Sequence, residues 1–163
     1  MPLDRPTKQD IIRRTWNLET TGCVPYTIEI GQPHFATQAF FDNDAAELAW
    51  HANYHAQHQS VIDFDIPNIK PNLGIGTIAA AFGCQLQVND EADPWTKSLI
   101  NADCREKVYD LIPPDPDSNA MFKRVHERIS YLQENSEMPL RLVNVASPLV
   151  TASAFRMGKS TLA

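Results

Sequence analysis

The sequence predicts an α/β fold in which parallel strands alternate with helices. Short stretches that alternate apolar and polar residues, as half-buried strands do, recur at 23–30, 61–66 and 140–146. Stretches with apolar residues at helical spacing precede or follow them, at about 7–22, 44–59 and 121–132. Strands that alternate with helices along a chain are typical of βα units around a parallel sheet.

The helices are recognised by their caps and their apolar stripes. Thr7–Asp10 resembles a capping box and opens the first helix, and Asn43-Asp44 caps the second. After the proline-rich linker at 113–118, one narrow helical stripe holds Met121, Phe122, Val125, Ile129 and Leu132. Pro148 stands at the first position of a predicted last helix.

The chain is organised around the stretch 60–84. Its predicted strand at 61–66 is stopped by Pro67 and Pro71, because proline fixes φ and removes a donor of the strand ladder. A turn then leads into an apolar helical turn closed by Gly83, and 84–88 is a candidate extra strand. We expect 89–118 to be irregular. The whole chain is interpreted as one domain, 1–163, that stops after its third main strand.

Composition narrows the class of protein. The formal net charge is −6 and the chain has no basic run, so nucleic acid and anionic membranes are poor candidate partners. The longest nearly uncharged apolar run, 73–84, is shorter than the ~20 residues of a membrane span. Three widely spaced cysteines favour a reducing compartment over a disulfide framework. With no secretory signal visible, the cytoplasm is the expected location.

Three histidines of the second helix, His51, His55 and His58, share one helical face. Imidazoles at this spacing are able to bind zinc, but the same face carries Asp44 and Glu47 and is typical of a solvated surface. We expect the opposite side to pack inward, through alanines 45, 49, 52 and 56. No metal site is predicted here, since the glutamate of an H-E-x-x-H motif is missing.

The candidate site consists of polar residues at the ends of the predicted strands. Glu29 ends the first, Asp65 the second and Asn144 the third, with Asp63 on the same strand face as Asp65. In barrel-type α/β proteins that edge holds the active site. The alternative interpretation is structural, with the same residues serving only as caps and turn formers.

Four stretches together resemble the uroporphyrinogen decarboxylase superfamily: IDFDIPNIKPNLGIGTIAAAFGC (62–84), DPWTKSLI (93–100), PDPDSNAMFKRV (114–125) and PLRLVNVASPLVTASAFRMG (139–158). The resemblance covers only the N-terminal part of a family member. It implies a partial (β/α)8 TIM barrel, because full members fold as one such barrel and are roughly twice as long.

The resemblance also implies a site. Asp65, before Pro71 and Leu73-Gly74, matches the aspartate with which the family binds the pyrrole N–H groups of its tetrapyrrole. Glu29 is then a nearby acid/base or orienting group, and the substrate-binding contacts are Asn68, Lys70, Asn72 and Asn144. The family's arginine-bearing segment has no counterpart, since Ile30–Phe35 stands in its place.

Three functions follow from these expectations. The first is decarboxylation of a porphyrinogen-type substrate, which by resemblance needs no cofactor. The second is methyl transfer with zinc and a corrinoid protein partner. The zinc ligands of such methyltransferases lie in a region of the family that this sequence does not contain. The third is a non-catalytic binding module. A free piece of an open sheet should self-associate into a homo-oligomer through uncovered strand edges, so a stable monomer that binds no tetrapyrrole would favour this third function.

Overall fold

The structure is a computed structural model that describes residues 3–28, 37–88, 94–100, 102–143 and 151. These residues are mainly helical, and their only sheet is an antiparallel pair of two-residue strands. The elements are, in chain order, α1 Arg5–Trp16, α2 Thr37–Asp42, α3 Asp44–His58, α4 Thr77–Ala81, β1 Leu86–Gln87, β2 Trp95–Thr96, a 3-10 helix Ala102–Asp110 and α5 Ala120–Glu134.

The long helices are confirmed, and their caps explain where they begin. The Asn43 side chain accepts hydrogen bonds from the backbone N–H groups of Ala45 (3.0 Å) and Ala46 (3.1 Å) at the start of α3. Asn119 caps α5 in the same way. The predicted capping box at residue 7 is wrong in position, because Asp4 caps α1 and accepts from Thr7 N–H at 2.9 Å.

The predicted parallel barrel sheet is wrong for the described residues. Residues 23–28 and 61–66 contain no strand, and the stretch 140–143 contributes one isolated parallel bridge, from Leu140 to Ile69. The irregular region predicted at 89–118 is also wrong in part, since it contains β2 and the 3-10 helix. The extra strand predicted at 84–88 is present as β1, paired with β2. The predicted helix at Pro148 lies outside the described residues.

A side chain takes the place of a strand ladder between 23–28 and 61–66. The two stretches share one backbone hydrogen bond, from Phe64 N–H to Tyr26 O (2.9 Å). The next donor, Ile28 N–H, bonds to the carboxylate of Asp63 instead of to a carbonyl (2.8 Å). The apolar residues of 23–28 are also exposed, with Val24 at 81%. Alternation therefore did not predict a sheet here.

Residues 59–76 connect α3 to α4 and lie against several helices. Ile69 is fully buried, and its backbone pairs with Pro139 O (3.0 Å) and Arg141 N–H (2.7 Å). α3 packs against α2 and α5, and α4 packs against α5. The buried apolar residues are Phe40, Phe64, Ile69, Leu73, Ala79, Ala81, Cys84, Ile100 and Leu132. None of the helices in the described part of the chain is long and apolar enough to cross a bilayer.

Gly74 is expected to be the most sensitive glycine, and Gly74→Ala should lower the free energy of unfolding by about 2–3 kcal/mol. Its φ is +76°, and an added Cβ would lie 2.6 Å from the Pro94 carbonyl oxygen. Gly22 has a similar φ of +74° but open space around the same position. In urea titrations Gly22→Ala therefore serves as the control, with an expected loss of about 1 kcal/mol. Equal losses in the two variants would contradict the steric argument.

Candidate functional site

The histidine face of α3 is buried, which corrects the expectation of a solvated surface. Glu47, His51, His55 and His58 are each less than 9% exposed, whereas the alanines expected to pack inward are exposed: Ala45, Ala49, Ala52 and Ala56. The polar face of α3 contacts residues 61–76 and α5, which supply hydrogen-bonding partners for it. Burial of polar side chains is tolerated when such partners are present.

The N-terminal half of this face forms an ionic junction with α5. Arg128, with no exposed surface, lies 3.0 Å from Glu47 Oε2 and donates to Asp44 Oδ1 at 2.7 Å. It also donates to the carbonyl groups of Phe40, Phe41 and Asn72. Arg124 makes a second, more exposed pair with Asp44 (2.6 Å). One guanidinium thus joins α2, α3, α5 and the turn at residue 72.

Two groups of the junction have shifted pKa values. Burial raises the pKa of Glu47 to about 7, and the nearby Arg128 charge opposes that change. Burial lowers the pKa of His51 to about 4, and the neighbouring His55 acts in the same direction. His51 Nε2 lies 3.9 Å from Glu47 Oε1 and has no hydrogen-bond partner among the described residues. Both groups are structural, since neither is exposed enough to meet a ligand.

Asp63 is a buried structural carboxylate. One oxygen accepts from Ile28 N–H at 2.8 Å, and the other accepts from Asp65 N–H at 3.0 Å. Lys8 Nζ lies 3.8 Å away and supplies a positive charge. With 1% of its side chain exposed and both oxygens used, Asp63 holds the chain in place and is not available to a ligand. The structural alternative is therefore the better interpretation for this residue.

Asp65 differs from its neighbour in burial and in partners. Its side chain is 23% exposed, and no described residue donates a hydrogen bond to its carboxylate. The nearest charged or titratable groups are His55 Nδ1 and His58 Nδ1, each 3.8 Å from Oδ2, which is too long for a hydrogen bond. Lys8 donates to the backbone carbonyl of Asp65 (3.0 Å), so the carboxylate itself stays available.

The two imidazoles have defined tautomers when they are neutral. His55 Nε2 lies 2.7 Å from Asn68 O, and His58 Nε2 lies 2.7 Å from Ile28 O. A carbonyl oxygen only accepts, so each Nε2 carries its hydrogen, and the 3.3 Å approach of Asn68 N–H to His55 Nε2 is a contact without a shared proton. Nδ1 of each ring lies on the side of Asp65, 3.8 Å from Oδ2.

The other predicted site residues are dispersed or already bonded. The Asn68 amide donates to Ile66 O (2.7 Å), and the Asn72 side chain accepts from Gly74 N–H (3.0 Å) in a turn. Lys70 is half-buried. Glu29 and Asn144 lie outside the described residues. Of the predicted set, the described structure brings Asp65 and the backbones of Asn68 and Lys70 to the histidines of α3.

Sequence reasoning missed Lys8, His55, His58 and Arg128 as neighbours of the acidic residues. The histidines carried a signal, since their spacing put them on one face of α3. No signal in the sequence indicated that these histidines are buried, because the alanines on the opposite face of α3 were the more natural choice for the buried side. Arg128 follows Arg124 at i+4 on the helix predicted after the linker. This spacing does not indicate that Glu47 is the partner of Arg128.

An open pocket of about 600 Å³ lies between α2 and β1, away from Asp65. Its lining residues are Gln38, Phe41, Asp42, Gln85, Leu86, Gln87 and Val88. The Gln38 amide already donates to Asp42 (2.7 Å), so two of the polar groups satisfy each other. Asp65 therefore remains the better candidate for ligand contact.

Comparisons with protein-family models, with curated proteins and with solved structures find no match for this chain. Within the described ranges, no three histidine, cysteine, aspartate or glutamate side chains are arranged to hold a metal ion. The chemistry of the Asp65 surroundings is thus the basis for a functional conclusion.

Proposed function

We propose that this chain is part of a cytoplasmic enzyme of the uroporphyrinogen decarboxylase type and that Asp65 binds the pyrrole N–H groups of a porphyrinogen. One observation carries the proposal: Asp65 is a partly exposed carboxylate to which no described residue donates a hydrogen bond. A carboxylate in this state accepts N–H donors strongly, since the bonds are charge-assisted. The proposed substrate class is the one implied by the resemblance of residues 62–84 given under the sequence analysis.

The surroundings of Asp65 suit an N–H donor better than an acceptor. The Asp65 carboxylate attracts an N–H donor and repels an anion. Asp63 and Lys8 neutralise each other nearby, and in the described part of the chain no lysine or arginine forms an ion pair with the negative charge of Asp65. In a decarboxylation, this charge would stabilise the protonated pyrrole that acts as the electron sink, and the reaction needs no added cofactor.

Five further residues are part of the proposal. Lys70 is the cation nearest in sequence to Asp65 and suits a peripheral carboxylate of the substrate. Asn68 and Asn72 border it, with Glu29 and Asn144 as predicted neighbours of the bound ring. The substrate would thus meet Asp65 with its N–H groups and Lys70 with a carboxylate.

The proposal predicts that Asp65→Asn weakens porphyrinogen binding about 10–100-fold, the equivalent of one charge-assisted contact. The measurement is anaerobic equilibrium dialysis of uroporphyrinogen, which is then oxidised and quantified by absorbance. Asp117→Asn removes the same charge from an exposed residue of the linker and is the control. It should leave the Kd unchanged.

A second ligand separates N–H recognition from binding of carboxylates. Uroporphyrin has the same peripheral carboxylates, but its planar ring does not present its pyrrole N–H groups on one face. Wild type should therefore prefer the porphyrinogen, and Asp65→Asn should lose the preference. Absence of porphyrinogen binding, or equal binding of both ligands, would refute the proposed function and leave a structural module as the better interpretation.

A further inference from the structure

The N-terminal helix α1 lies on the rest of the molecule without a single buried residue. None of its 12 residues is buried, whereas α3 buries four side chains and α5 buries Arg128 and Leu132. Its last residue, Trp16, is 82% exposed, and Leu18 just beyond it is 95% exposed. An isolated helix of this length is marginal in water, so the order of α1 depends on its docking.

One side chain makes the hydrogen bonding between α1 and the rest of the described chain. Lys8 Nζ donates to the backbone carbonyl of Asp65 at 3.0 Å, and its side chain is 14% exposed. The other side-chain hydrogen bonds of α1 stay within residues 4–20. Its apolar contribution is small, since Ile11 and Ile12 are half-buried. Docking of α1 therefore depends on one ammonium group and a partial apolar contact.

The connection after α1 leaves the helix free to move away from residues 63–65. Residues 17–20 are exposed, and Gly22 has a φ of +74° with open space around it. Glycine has more backbone freedom than any other residue. Rotation around Gly22 thus releases α1 without moving α3 or α5.

We propose that α1 is a detachable strap over residues 63–65, held by Lys8, and that it controls access to Asp65. The strap opens by itself, before α3 and α5 unfold, because regions with few buried side chains open locally. Opening removes Lys8 from the Asp65 carbonyl and uncovers the main chain that bears the candidate carboxylate. The control of ligand access rests on the proposed function, whereas the opening of the strap does not.

The first experiment measures amide hydrogen exchange in the full chain without ligand. The hydrogen-bonded amides of α1 should exchange about 100-fold faster than those of α5, since the strap opens separately. In Lys8→Met, exchange in α1 should become about tenfold faster still, because a hydrogen bond from a charged donor is lost. Lysine and methionine have similar helix propensities, so this increase reports docking and not the stability of the helix itself.

Two control variants separate opening of the strap from unfolding of the whole chain. Arg5→Met removes a charge from an exposed site of the same helix and should leave exchange in α1 unchanged. Arg124→Met weakens the junction of α5, so exchange in α5 should rise about fivefold while exchange in α1 stays the same. A parallel rise in both helices of Arg124→Met would overturn the proposal, as would unchanged exchange of α1 in Lys8→Met.

The second experiment follows uroporphyrinogen binding and exchange in α1 together. If the ligand enters when the strap is open, saturating uroporphyrinogen should speed exchange in α1, because binding favours the open state. Lys8→Met should lower the Kd by up to about tenfold, since the open state is then more populated. Arg5→Met should keep the wild-type Kd. Slower exchange of α1 with ligand, or an unchanged Kd in Lys8→Met, would refute the control of access.

The two experiments fail separately. If no uroporphyrinogen binds but α1 exchanges independently of α5, the strap stands, and both the proposed function and the control of access fall. If uroporphyrinogen binds through Asp65 while α1 and α5 exchange together, the function stands and the strap is refuted.

Discussion

Arg128→Met is expected to lower the free energy of unfolding by about 3–5 kcal/mol, the largest loss of any single substitution considered for this chain. The methionine fills much of the side-chain volume but removes the charge that faces buried Glu47 at 3.0 Å. The carbonyl groups of Phe40, Phe41 and Asn72 lose their donor at the same time. Urea unfolding at pH 7.5, followed by tryptophan fluorescence, measures the loss.

Arg124→Met is the matched control, one helical turn earlier on α5. Its guanidinium also pairs with Asp44, but the side chain is 25% exposed, so water compensates when it is removed. A loss of about 1 kcal/mol is expected. If the two variants lose equal stability, the buried junction does not hold α2, α3 and α5 together as described.

The second large effect is a pair of opposite pH dependences at Glu47 and His51. The pKa of Glu47 rises from 4.5 to about 7 on folding, so the folded state keeps a proton that the unfolded chain releases. This contribution to stability is complete below pH 4.5 and is lost as the pH rises to 7. The pKa of His51 falls from 6.5 to about 4, so its contribution is complete above pH 6.5 and is lost as the pH falls to 4.

The two contributions overlap and should nearly cancel in the wild type between pH 4.5 and pH 6.5. In His51→Gln, Glu47 is the one of the two groups that still titrates. The free energy of unfolding of this variant should then fall by about 2–3 kcal/mol from pH 4.5 to pH 7, relative to wild type. In Glu47→Gln, His51 is the one of the two groups that still titrates, and the free energy of unfolding should rise by a similar amount over the same pH range, relative to wild type.

Urea titrations at several pH values measure these slopes as differences from wild type, so that other titrating groups cancel. His126→Gln, at an exposed site of α5, should reproduce the wild-type slope. Slopes of the same sign in His51→Gln and Glu47→Gln would show that burial does not control both groups.

Local patterns predicted local structure well in this chain. Asn43 and the apolar stripe from Met121 to Leu132 led to two helices that the structure contains, because a cap and a helical period act within a few residues of each other. Alternation at 23–30 and 61–66 failed for a long-range reason. A strand requires a partner along its length, and here Asp63 replaces part of that partner.

The candidate site was predicted in part. Asp65 was selected as an acidic site residue, and the structure leaves its carboxylate partly exposed, with no hydrogen bond donated to it by the described residues. Its role as a ligand group stays a prediction. The histidine face of α3 was placed on the wrong side, because alanines favour burial on average and give no information about the carbonyl groups that the histidines meet.

The sequence alone determined where α3 begins and which residues share a helical face. Those features depend on interactions over one or two helical turns. The tertiary structure alone decided that Arg128 meets Glu47 and that His55 and His58 flank Asp65. Such contacts join elements far apart in the chain, and burial of charge at them depends on partners that no local pattern names.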